Sequence, residues 1–94
     1  DLDRCEVRFE DGGRAELSER EADLLRYLAA NPDRAISRDE ILQRIWRLDP
    51  RHVETRTIDV HIANLRSKLR DPGDQPRVIL TVRGKGYMLG RQAA

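Results

Sequence analysis

Cysteine, long apolar runs, internal repeats and paired catalytic groups are all scarce in this chain. One cysteine, Cys5, in 94 residues permits neither an internal disulfide framework nor a zinc-ribbon spacing, and it fits a reducing, intracellular setting. No stretch approaches the roughly 18 apolar residues of a membrane helix. No basic, apolar, small-residue leader opens the sequence, so a secretory signal is not expected. There is no repeat and no low-complexity segment. The two histidines, His52 and His61, have no second His, Cys or suitably spaced carboxylate beside them, which argues against a metal site. No nucleophile sits near a base, and no glycine-rich phosphate loop is present. The expectation is therefore a protein with no enzymatic activity, no metal, no cofactor and no membrane span.

What is present is a polar but periodic chain, 38% hydrophobic and 37% charged. Its length suits one domain over residues 1–94, burying roughly 60–65% of its unfolded surface. It begins at Asp1 and not at Met, the expected look of a piece of something longer. The net charge of +1 conceals a split. Residues 1–50 carry nine cations against thirteen acids, net −4, whereas residues 51–94 carry nine against four, net +5. Such asymmetry points to an acidic or phosphate-bearing partner at the basic end, or to a simple dipole on a solvated surface.

Cys5, Val7 and Phe9 alternate with Arg4, Glu6 and Arg8, as in a half-buried strand. Asp11-Gly12-Gly13 is a turn, and Arg14 to Leu17 returns as a second strand. Ser18 with Glu21, and Ser37 with Glu40, have the spacing of capping boxes, each just before a helical apolar run. The first run holds Ala22, Leu24, Leu25, Leu28 and Ala29, and Asn31-Pro32 ends it. Ala35-Ile36 is a brief extended piece, with Ile36 and Ile41 at staple positions around the second box. The second helix carries Ile41, Leu42, Ile45 and Trp46. Residues 47–54 form a loop. A third helix spans 55–70, with Ile58, Ile62, Leu65 and Leu69 as its buried stripe, and Asp71-Pro72-Gly73-Asp74 stops it. Val78 to Val82 and Tyr87 to Leu89 bracket the turn Arg83-Gly84-Lys85-Gly86 as a closing hairpin, followed by a frayed Arg91–Ala94 tail.

Three helices followed by a basic-tipped hairpin is the order of a winged helix. The third helix carries a second stripe of Arg56, Thr57, Val60, His61, Asn64 and Lys68. It holds cations, an amide, a hydroxyl and one small apolar side chain, and no acid. Asn can pair with adenine, and Thr or Val can touch a thymine methyl. Arg56, Arg66, Lys68 and Arg70 add charge for phosphates. Arginine on a thin glycine-bearing tip suits a narrow minor groove. The pattern alone leaves three readings open: duplex DNA, an acidic protein partner, or an ordinary solvated face. Asp59 reads as a partner for a nearby arginine, Tyr87 as packing under the hairpin, and Trp46 as mostly core.

The run Thr55-Arg56-Thr57-Ile58-Asp59-Val60-His61-Ile62-Ala63-Asn64-Leu65-Arg66-Ser67-Lys68-Leu69, followed by Thr81-Val82-Arg83-Gly84-Lys85-Gly86-Tyr87, closely resembles the C-terminal effector domain of OmpR/PhoB-type bacterial response regulators. Leu17 to Glu21 and Ser37 to Leu42 match it too, so the likeness covers about residues 4–89. It implies an α+β winged helix-turn-helix with a truncated N-terminal sheet, kept to a β-hairpin, and a C-terminal hairpin wing. It implies cytoplasmic, sequence-specific binding of double-stranded DNA and transcription regulation, the 55–70 helix in the major groove and the 82–87 wing in the minor groove. DNA-contacting positions map to Arg56, Thr57, Val60, His61, Asn64 and Arg66 on that helix, and to Thr81, Arg83 and Gly84 on the wing. Arg38 and Trp46, at the two ends of the second helix, map to phosphate contacts. The likeness further implies a receiver domain outside this chain, a second copy head-to-tail on a direct-repeat operator, and RNA polymerase contact through loop 47–54. Arg47 stands where the family often has glycine, and Met88 where it often has a basic residue.

Overall fold

The computed structural model describes residues 5–71 and 75–90. Arg4 at the start of the expected first strand, the Pro72–Asp74 part of the stop signal and the Arg91–Ala94 tail lie outside the described residues. The elements run β1 (Glu6–Arg8), β2 (Arg14–Glu16), α1 (Glu19–Ala30), α2 (Arg38–Arg44), α3 (Arg56–Lys68), β3 (Ile79–Val82) and β4 (Gly86–Leu89). β1 and β2 pair antiparallel, with Val7 opposite Ala15. β3 and β4 do the same, with Thr81 opposite Tyr87. Ile36 adds a single rung outside β4, exchanging both backbone bonds with Tyr87 at 2.7 and 2.9 Å. The brief extended piece before α2 is thus the third rung of the wing's sheet.

One apolar cluster unites the helices. Leu24 and Leu28 of α1, Ile41 and Leu42 of α2, and Ile58, Ile62 and Leu65 of α3 meet Ile36, Ile79 and Tyr87 from the wing side. α1 begins with a complete capping box: Ser18 Oγ accepts from Glu21 N, and Glu21 accepts from Ser18 N at 2.8 Å. At α2 only half of the expected box forms. Ser37 Oγ accepts from Glu40 N at 3.1 Å, but the Glu40 carboxylate turns away to Tyr27 and Arg34. Bonds to the Tyr27 hydroxyl and to the Arg34 guanidinium, which brings a full opposite charge, outweigh one bond from a neutral amide.

α2 also stops earlier than its apolar stripe. Arg44 is its last residue, Ile45 caps it, and Trp46 lies just past the helix. Arg47 then takes φ 55, the left-handed conformation that favours glycine. α3 closes with a Schellman motif: Arg70 N donates to Ser67 O at 3.2 Å and Asp71 N to Arg66 O at 2.8 Å. Arg70 holds the left-handed position of that motif at φ 58. Leu69, expected in the buried stripe, caps the helix half-buried.

Candidate nucleic-acid interface

α3 supplies two faces. Ile58, Ile62 and Leu65 are fully buried and fix its roll against α2 and the core. The other side leaves Arg56, Thr57, Val60, Asn64 and Lys68 exposed. Val60 is 60% exposed, an apolar side chain placed in water amid polar neighbours. The Thr57 hydroxyl donates to Glu54 O at 2.9 Å and so helps fix the helix start, where Thr55 provides no side-chain cap.

His61 sits half-buried at one margin of this face, its ring 4.6 Å from that of Trp46 and tilted by 31°. Trp46 is itself half-buried, and its indole N–H has no acceptor among the described residues. Arg38, in the first turn of α2, reaches across to α3 and bonds Asp59 Oδ2 at 3.0 Å. Asp59 Oδ1 accepts the Tyr87 hydroxyl at 2.5 Å. Burial first, and then the Asp59 carboxylate, push the Tyr87 hydroxyl up to about 12, so it remains a donor at neutral pH.

The wing has a fixed root and an open tip. Gly86 is obligatory at the root: a Cβ there would lie 1.9 Å from Ile36 O, and its φ is 146. Arg83, Gly84 and Lys85 form the exposed tip, and a Cβ on Gly84 would meet nothing within 4 Å. Neither the Arg83 nor the Lys85 side chain has a hydrogen-bond or ion-pair partner among the described residues, and the same is true of the Arg56 side chain.

Arg66, Lys68 and Arg70, also in the basic half, are each bonded to another element of the domain. Arg66 donates to Ile79 O at 2.6 and 3.1 Å and to Thr81 Oγ1 at 2.9 Å, and its guanidinium lies 5.7 Å from the Tyr87 ring centroid. Lys68 donates to Glu21 Oε1 at 2.7 Å. Burial pushes the Glu21 carboxyl up, but Lys68 and the Ser18 amide outweigh this and leave it below its usual range. Arg70 bonds Asp11 at 2.7 Å and lies over the Phe9 ring at 3.9 Å. The sites expected from the sequence thus fall into two sets. Arg56, Thr57, Val60, Asn64, Thr81, Arg83 and Gly84 are exposed along α3 and the wing, with His61 and Trp46 stacked at the margin. Arg38, Arg66 and Lys68 are tied to other elements.

The expected arginine partner of Asp59 is Arg38, but spacing did not show that the same carboxylate also holds the wing, nor what Asp71 does. Asp59 is the one acid in α3, and it joins α2 and the wing. A lone acid within a basic helix was the available signal. Asp71 is 6% exposed and accepts from the backbone amides of Arg77, Val78 and Ile79 at 2.7 to 3.2 Å. Its own amide closes α3 while its carboxylate holds the start of β3. Burial pushes its carboxyl pKa up, yet those amides and Arg66 outweigh this and hold it below its usual range. Among the described residues no group of three or more His, Cys, Asp or Glu could hold a metal ion. No described helix is long and apolar enough to cross a membrane.

A three-helix core whose last helix shares one side with a basic-tipped hairpin defines a winged helix-turn-helix domain. Residues 12–89 match the family described as "Transcriptional regulatory protein, C terminal". The chain belongs to that family, the OmpR/PhoB-type DNA-binding domains of response regulators. It is 41% identical over 92 residues to a probable transcriptional regulator, ycf27, of Galdieria sulphuraria, covering 97% of this chain and 36% of that protein. It is 47% identical over 79 residues to the transcriptional regulatory protein TrcR of Mycobacterium tuberculosis, covering 84% and 30% respectively. The chain therefore spans about a third of the length of these curated relatives. The structure of the Klebsiella pneumoniae RstA DNA-binding domain in complex with its RstA box superposes with a TM-score of 0.74 at 34% identity, covering 84% of this chain and 77% of that one.

Proposed function

We propose that this chain is a single effector domain of a two-component response regulator, and that it binds double-stranded DNA in a sequence-specific way to regulate transcription. The observation that carries the reading is Val60, 60% exposed in the middle of an acid-free stripe with Thr57 and Asn64 beside it. A thymine methyl is the apolar partner that a side chain so placed can contact. In this reading α3 lies in the major groove, with Thr57, Val60, His61 and Asn64 toward base edges. The Arg83-Gly84 tip enters the flanking minor groove, whose negative potential favours arginine. Arg38, Arg56, Lys68 and the Trp46 indole N–H take phosphates. Arg66 and Thr81, bonded to each other, hold the wing at its working distance and lie next to the same backbone.

The fuller reading extends beyond this chain. A receiver domain precedes it, and a second copy docks head-to-tail on a direct-repeat operator about one helical turn away. RNA polymerase meets loop 47–54, where Leu48 is an exposed apolar side chain among Arg47 and Arg51. The work is done in the cytoplasm. The acidic first half faces away from the DNA.

The test is selection of bound duplexes from a random pool, followed by titration of variants against the selected site and a scrambled one. Asn64→Ala relaxes base choice at one position by about 1–3 kcal/mol, whereas Arg38→Ala weakens both duplexes alike. Affinity falls steeply with salt, as counterion release requires. Equal losses for both variants on both duplexes sink the division between base reader and phosphate clamp. A wild-type chain that selects nothing at micromolar concentration sinks the function and favours an acidic protein partner.

A further inference from the structure

Asp59 presents a contradiction that the DNA-binding reading does not absorb. It sits on the helix proposed to enter the groove, half-exposed, one turn from Arg56 and adjacent to Val60. A carboxylate so placed repels phosphates, and simple electrostatics predicts tighter binding without it. Its two oxygens, however, are both occupied, and by groups from two different elements. Oδ2 holds Arg38 of α2 at 3.0 Å, and Oδ1 holds the Tyr87 hydroxyl of β4 at 2.5 Å. The opposite edge of the same wing is held from the same helix one or two turns on, where Arg66 grips Ile79 O and Thr81 Oγ1. α3 thus sends one side-chain fastening to each strand of the wing and, among the described residues, holds the side chain of the cation at the head of α2.

We infer that Asp59 is a positioning residue for DNA binding, itself held by the Tyr87 hydroxyl and acting through Arg38 to set where the phosphate-gripping guanidinium stands relative to the recognition helix. The inference rests on the DNA-binding reading and deepens it. Arg38 has a long, rotamer-rich side chain and is about half-exposed (47% of its side chain). Left to itself it samples many directions, and ordering it on a phosphate costs rotamer entropy. The Asp59 oxygen restricts it beforehand. Its remaining N–H donors stay available, since one nitrogen alone is engaged. Tyr87 is anchored by burial whether or not its hydroxyl is bonded, so the bond to Oδ1 principally fixes Asp59 itself. The hydroxyl holds the carboxylate, and the carboxylate aims the arginine.

The sign of the effect decides the matter. The test uses this chain and a fluorescein-labelled random-sequence duplex of about 30 base pairs, so no operator is needed, with affinity measured across a salt series. If Asp59 aims Arg38, Asp59→Ala weakens binding about threefold to tenfold and lowers the salt slope by about one, the signature of one lost phosphate contact. Arg38→Ala then costs much less in the Asp59→Ala background than in the wild type. Asp59→Asn, whose single amide oxygen can accept from Arg38 or from Tyr87 but not from both, gives an affinity between those of the wild type and Asp59→Ala. Tyr87→Phe gives a smaller loss in the same direction and none when Asp59 is already alanine. Thermal unfolding of each variant separates a misplaced arginine from a damaged fold, because partial unfolding scales affinity at every salt concentration and leaves the slope unchanged. Tighter binding by Asp59→Ala, or strictly additive Asp59 and Arg38 losses, overturns the inference and leaves the DNA-binding function intact. A wild-type chain that fails to bind the duplex at all overturns the function on which it rests.

Discussion

The two hairpins of this domain differ at their tips. The wing, β3–β4, is held at its root: Ile79 and Tyr87 are buried in the core, Ile36 adds a rung, and Asp71 gathers the first three amides. Its tip, Arg83-Gly84-Lys85, touches no other described residue by hydrogen bond or ion pair beyond its own turn. The first hairpin, β1–β2, also meets the core at its root, through Leu17 and Cys5, but it is fastened at its tip as well. Its strand residues are half-buried or exposed, and its tip is tied down by the Asp11–Arg70 ion pair and by Arg70 lying over Phe9. A hairpin anchored at its root alone can offer its tip to a ligand. A hairpin anchored at its tip can only close a surface. That difference assigns reach to the C-terminal hairpin and cover to the N-terminal one.

The largest disturbance of this arrangement comes from the wing's root. Gly86→Ala drives a methyl into Ile36 O, at 1.9 Å, from a backbone conformation alanine avoids. It is expected to cost about 3 kcal/mol, seen as a lower denaturation midpoint with the Ile36 rung lost. A loss below about 1 kcal/mol would mean that the root is loose.

Asp71→Asn comes next, at about 2 kcal/mol at pH 7, because an amide cannot match a carboxylate as acceptor for three N–H groups. The pH dependence has a definite sign. The folded carboxyl titrates below 3.8, its unfolded value, so its contribution is complete above about pH 4 and fades as pH falls through the folded value. The variant's acid limb is therefore flatter than the wild type's below about pH 4, and parallel limbs would count against the three-amide cap.

These two positions also show what the sequence could and could not reveal. Ser18 with Glu21, the α3 stripe and the glycine-bearing turn were legible because their partners lie within four residues, where helix and hairpin geometry determines who meets whom. The exposed face of α3 followed from the same periodicity. What escaped was decided by distant competitors. Glu40 leaves its cap for Tyr27 and Arg34. Arg66 and Lys68 turn to Ile79 and Glu21, and Asp71 serves a strand beyond the loop. Trp46 falls outside α2 because the chain turns at Arg47, a left-handed residue that periodicity does not foresee.

A matched pair of glycine substitutions sharpens the comparison. Arg47 and Arg70 are both left-handed, at φ 55 and 58. Arg47 has no side-chain partner among the described residues, so Arg47→Gly relieves strain alone and gains about 0.5–1 kcal/mol after the added freedom of the unfolded chain is counted. Arg70→Gly relieves the same strain but releases the tip of the first hairpin. The lost ring contact is worth about 0.5–1 kcal/mol, so the net change is near zero. Equal gains at both positions would show that the first hairpin is not held by Arg70.

The smallest effect isolates the ion pair itself. Asp11→Asn keeps an oxygen for the Gly13 amide, which Asp11 Oδ1 accepts at 2.8 Å, and removes only the charge facing Arg70. That amide, and then the Arg70 guanidinium, hold the Asp11 carboxyl below its usual range, so the pair is formed at neutral pH. Both partners are more than half exposed, and salt screens such a pair strongly. The variant's melting point should lie slightly below the wild type's in dilute buffer and coincide with it at about 1 M salt, where the screening length is near 3 Å. DNA affinity should not change, because this tie lies on the covering hairpin. A deficit that persisted in high salt would assign the fastening to packing of Arg70 on Phe9. The first hairpin would then be anchored as firmly as the wing, and the contrast between cover and reach would lose its energetic basis.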